Sequence, residues 1–93
     1  MYALFVEVDA DESHTEQARK AIPETVVPQV RAAGAKDGYW LAPQNGRGLS
    51  VVVFDDEAAA RGVAAQFKVG EPVGAVEGVT VRTVEVREVL AHL

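Results

Sequence analysis

Apolar positions along the chain fall into runs of two different spacings. Tyr2–Val8 is short and rich in aromatic and β-branched residues, which predicts a strand closed by the acidic stretch from Asp9 to Glu12. Ser13 with Glu16 three residues on has the S-x-x-E form of a capping box, so a helix is expected to start there. Ala18, Ile22, Val26, Val30 and Ala33 then recur every three or four residues and trace one helical stripe. Pro23 and Pro28 each remove an intrahelical hydrogen bond, which predicts a kink or break between residues 22 and 28. Gly34 supplies a C-terminal cap.

The spacing then shortens. Lys36–Pro43 and Gly48–Phe54 read as two strands around Asn45-Gly46, a pair suited to the positive φ values of a type I′ hairpin turn. Asp55 or Asp56 is placed to cap a second helix, whose stripe is Ala60, Val63, Ala64 and Phe67 and whose stop is Gly70 with Pro72. Val79–Val89 closes the chain as a long strand. The order β-α-β-β-α-β predicts an α+β protein, one ferredoxin-like domain over residues 1–93 with a four-stranded antiparallel sheet.

Two strands depart from strict alternation. Ala3-Leu4-Phe5-Val6 and Val51-Val52-Val53-Phe54 are apolar at consecutive positions and so on both faces. Right-handed crossovers put both helices on the same face, which leaves the other bare. A large exposed apolar patch marks an interface. The expectation is a homodimer with sheets packed face to face, the last strand and the tail Glu88–Leu93 reaching onto the partner.

Composition narrows the partners. The net charge is −5, which disfavours nucleic acid and anionic membranes, both of which attract clustered Lys and Arg. No run approaches the roughly 20 apolar residues of a membrane span, and the N-terminal run lacks the basic start of a signal peptide, so a cytoplasmic protein is expected. With no cysteine in its 93 residues, the chain has no disulfide framework and no thiolate nucleophile or ligand.

Taken together, several features resemble the dimeric α/β-barrel superfamily, and within it the small antibiotic-biosynthesis-monooxygenase-like proteins. They are the N-terminal strand, the mid-helix proline in Val27-Pro28-Gln29-Val30-Arg31-Ala32, the hairpin at Asn45-Gly46, the third strand running into Asp55-Asp56-Glu57-Ala58, and the long closing strand. The resemblance covers essentially the whole chain. It implies a dimeric α/β barrel and cofactor-independent oxygenation of quinol- or anthrone-like aromatics, with neither metal nor organic cofactor. Haem-degrading members resemble the chain in the third strand but carry Trp where Phe54 stands, a His on the following helix and an Asn on the first strand. Glu57–Val69 has no His and Tyr2–Val8 no Asn, so haem degradation is not expected.

Candidate site residues follow from the hairpin. A two-residue turn at Asn45-Gly46 sets Trp40 opposite Val51 and Tyr39 opposite Val52, on opposite faces. One face then reads as wholly apolar packing around Trp40. The other collects Tyr39, Ser50 and Phe54, and the hydroxyls of Tyr39 and Ser50 suit a pocket for a small aromatic ligand. His14, in the first turn of the first helix, is a further pocket candidate and a possible general base. The acidic group Asp9, Asp11 and Glu12 reads more simply as a helix-capping loop than as a cation site. Against the oxygenase stands a non-catalytic ligand-binding or assembly module on the same scaffold, because no acid–base constellation is apparent.

Overall fold

The computed structural model describes the whole chain, Met1–Leu93. Strand β1 (Tyr2–Asp9) leads through a 3-10 turn (Glu12–His14) into a first helix. That helix is α-helical over Thr15–Ala21, π over Ile22–Val26 and α-helical again over Val27–Ala32. β2 (Ala35–Gln44) and β3 (Arg47–Phe54) form the hairpin, a second helix spans Glu57–Ala64, and β4 (Thr80–Glu88) closes the sheet. The sheet is antiparallel in the order β2-β3-β1-β4, so this is a small α+β domain compatible with the ferredoxin-like arrangement.

The two prolines do not break the first helix. A π turn absorbs them: the Val27 N–H donates to the Ile22 carbonyl, five residues back, and the chain stays helical from Thr15 to Ala32. Widening the helix by one residue is a compact way to pass a residue that lacks an N–H. The helix start also lies earlier than the Ser13–Glu16 pattern suggests. Asp11 is the cap: its carboxylate accepts from the Ser13 N–H at 2.8 Å and from the Ser13 hydroxyl, while His14 Nδ1 accepts from the Asp11 N–H at 3.2 Å. The second helix starts where expected, with Asp56 accepting from the Ala59 N–H at 2.7 Å. Between Ala65 and Val79 no helix or strand forms. This stretch is tied to the sheet by hydrogen bonds from Gly70 N to Val81 O and from Val81 N to Glu71 O.

Asn45 and Gly46 both take positive φ, 55° and 78°, and make the two-residue turn. The register behind it differs from that of a regular hairpin. Between the pairs Leu41↔Leu49 and Gln44↔Arg47, β2 has two residues, Ala42 and Pro43, where β3 has one, Gly48. Pro43 has no N–H to give the ladder, and a bulge is where a strand accommodates that. Beyond it Asp37–Leu41 are displaced by one, so Trp40 faces Ser50 and Tyr39 faces Val51. The expected pairs, Trp40 with Val51 and Tyr39 with Val52, are thereby corrected.

Both helices cover the same side of the sheet. There Leu4, Val6, Val52 and Phe54 pack with Ala60 and Val63 of the second helix. A smaller cluster of Ala10, Val76 and Val79 sits at the far end of β1. On the open side, the row Tyr39–Val51–Phe5–Glu85 crosses all four strands. This side is less uniformly apolar than its sequence suggests, because β4 contributes Thr83, Glu85 and Arg87 to it. Glu7 is buried among them, accepting from Arg47 Nη1 at 2.6 Å and from the Thr83 hydroxyl at 3.0 Å. No helix is long and apolar enough to cross a membrane.

Candidate functional site

The first helix is pinned to the sheet at its two ends. Its 3-10 entry lies beside β2 and its last turns pack on β2, whereas Thr15–Val26 between them stands off. The second helix is too short to compensate, since Glu57–Ala64 reaches along only part of the sheet. What remains under the first helix is a cavity of about 450 Å³.

Small residues keep it open. Gly48 and Ser50 form part of the floor, Ala18 and Ala33 part of the roof, and Gly74 and Ala75 part of a side wall. A Cβ on Gly48 would come within 3.0 Å of the Val8 methyl, so a side chain there meets an occupied site. The cavity is partly open to solvent, so water or a ligand fills the space. With 17 of its 25 lining residues hydrophobic, the cavity offers water few partners, and an apolar occupant would release it.

The polar atoms in the wall are few and unengaged. The side chains of Thr25, Gln29, Ser50 and Gln66 line the cavity, and none of them takes part in the side-chain hydrogen bonds of the chain. His14 is the one titratable side chain in the wall. Its Nδ1 accepts from the Asp11 backbone, so the proton of the neutral ring sits on Nε2. Nε2 lies beside Gly78, 3.2 Å from where a Cβ of that residue would stand. The Ser13 hydroxyl, then the Ser13 N–H, hold the neighbouring Asp11 carboxyl below the ordinary carboxylate range.

The sequence candidates separate. His14 and Ser50 line the cavity. Tyr39 is 65% exposed on the opposite side of the sheet, carried there by the Pro43 bulge. Phe54 is fully buried in the core rather than in the cavity wall. Trp40, expected as packing, packs against the main hydrophobic cluster and also lines the cavity. Proline inside a strand was the available signal for this exchange of faces. Arg47, at the hairpin tip, is exposed and pairs with Glu7.

Comparison with protein-family models, with curated proteins and with solved structures finds no match to this chain.

Proposed function

We propose that this chain binds a small, largely apolar aromatic molecule in the cavity under the first helix, and that it does so as a homodimer. The observation that carries the reading is the cavity itself: a mostly apolar, partly open hollow with a handful of unengaged hydrogen-bonding groups. The resemblance to antibiotic-biosynthesis monooxygenases adds a reaction, cofactor-independent oxygenation of a quinol- or anthrone-like substrate. Binding without catalysis is the second reading. It is favoured by the single titratable group in the wall, whose Nδ1 is already engaged by backbone. Incubation with quinols and anthrones under oxygen separates the two. Oxygen uptake above a buffer blank supports the enzyme, and saturable binding without uptake supports the binding module. Absence of binding rejects both.

The homodimer rests on the open side of the sheet, where Phe5, Val51 and Val53 have no cover and Tyr39 is 65% exposed. Four strands about 4.8 Å apart and about 26 Å long present roughly 500 Å² of face. Two such faces give about 1,000 Å², the threshold for a specific interface. Leu90, 91% exposed after the last strand, is available to extend the contact. Sedimentation at micromolar concentration is expected to give twice the chain mass, and Val51→Lys, at the centre of the face, a folded monomer. A monomeric parent chain would reject the dimer.

A further inference from the structure

The shape and charge of the cavity say more about its occupant than that it is small and apolar; the inference rests on the cavity being a ligand site. Its roof is a single stripe of the first helix, from His14 through Ala18, Ile22, Val26 and Val30 to Ala33. At 1.5 Å per residue this stripe is roughly 28 Å long, and it runs below a helix held to the sheet only near its ends. A volume of about 450 Å³ spread along such a length makes a channel rather than a bowl. A compact fused-ring molecule would fill the middle and leave both ends to water.

Charge is the second constraint. No aspartate, glutamate, lysine or arginine lines the channel, so a charged ligand would be desolvated without a counter-ion, at a cost of several kcal/mol. The polar residues that do line it suit hydroxyl or carbonyl oxygens: His14 and Gln29, well apart along the roof stripe, and Ser50 on the floor. We infer that the ligand is an uncharged, elongated molecule, an aromatic ring bearing a hydroxyl or carbonyl and a linear apolar tail that lies along the first helix.

The test is a series of 4-alkylphenols titrated into the full-length protein by calorimetry, with the fluorescence of Trp40, the chain's one tryptophan, as a second readout. Affinity is expected to rise from phenol through 4-butylphenol to 4-nonylphenol, by up to about fourfold per added methylene where the tail is fully buried. The charged analogue 4-nonylbenzoate is expected to bind at least tenfold more weakly than 4-nonylphenol. Ala18→Phe and Ala33→Phe narrow the channel at two places along the roof, and at least one should lower the 4-nonylphenol to phenol affinity ratio tenfold. A flat series, anthrone binding as tightly as 4-nonylphenol, or neither variant changing the ratio would overturn the elongated shape. The aromatic-binding proposal would still stand. Equal affinity for 4-nonylbenzoate would overturn the uncharged class, and failure of every probe, anthrone included, would overturn the ligand site itself.

Discussion

Phe54 and Ser50 stand four residues apart on β3 and face the same side of the sheet, yet one has no exposed surface and the other looks into a cavity. Phe54 lies under the second helix, whose Ala60 and Val63 are themselves buried against it. Ser50 lies under the first helix where that helix stands off. The neighbours at the hollow end, Gly48 and Ala18, are too small to close the gap. One short helix seals half of the sheet, and one long helix bridges the other half without filling it. Packing density on this side is thus divided by helix length and side-chain size, and the less dense half is where a ligand would add most.

The largest effect should come from the dense half. Phe54→Ala removes a fully buried ring from the main cluster and is expected to cost about 3–5 kcal/mol, a large share of the roughly 5–15 kcal/mol available to a domain. Urea unfolding measures it, and a loss below about 1 kcal/mol would mean that this half is as loosely packed as the other. Asp56→Ala, which removes the cap on Ala59 N, is expected to cost about 1 kcal/mol by loosening the start of the same helix.

The contrast between the halves was only partly legible in the sequence. The order of elements could be read from local chemistry: Asn45-Gly46 for the turn, Asp56 before an alanine-rich stripe, Gly34 after a helical one. Each signal acts within a few residues, and each acts so in the structure. Faces were harder, because side chains alternate with period two and one extra residue reverses them. Pro43 inserted that residue and sent Trp40 to the cavity and Tyr39 to the open side. The role of His14 was hidden by a stronger pattern. Ser13–Glu16 matches a familiar box, while the operating one, Asp11–His14, uses an imidazole nitrogen as acceptor. The cavity left no local mark, since it depends on how far a helix stands from a sheet that other residues build.

A smaller effect belongs to the hollow half. Ser50 lines the cavity with its hydroxyl outside the chain's hydrogen-bond network. Ser50→Val therefore leaves no partner stranded, and stability should change by no more than about 0.5 kcal/mol in urea unfolding. Binding of a quinol probe should nevertheless weaken several-fold, as the floor loses its one hydroxyl. A stability loss above about 2 kcal/mol would place Ser50 in the packed core and erase the contrast with Phe54.

The smallest effect is at the entry to the first helix, where the hollow half is anchored. The Ser13 hydroxyl and N–H lower the Asp11 carboxyl, and Lys36, bonded at 2.7 Å, lowers Asp55 at the other end of the sheet. A carboxyl whose pKa is lower in the folded than in the unfolded chain binds fewer protons when folded. Its contribution is present above the unfolded value, near pH 4, and is lost as the pH falls through the folded one. Acid should therefore weaken both anchors together, and a thermal-unfolding midpoint that is flat from pH 7 to pH 5 should fall below about pH 4. Asp11→Asn removes one of the two titrations and so should make that fall shallower, while Asp55→Asn removes the other. Both residues are exposed, so salt should reduce the Asp55 effect, which rests on Lys36, more than the Asp11 effect, which rests on hydrogen bonds to uncharged donors. Equal salt sensitivity in the two variants would show that Asp11 acts through charge and not as the cap that fixes the tautomer of His14.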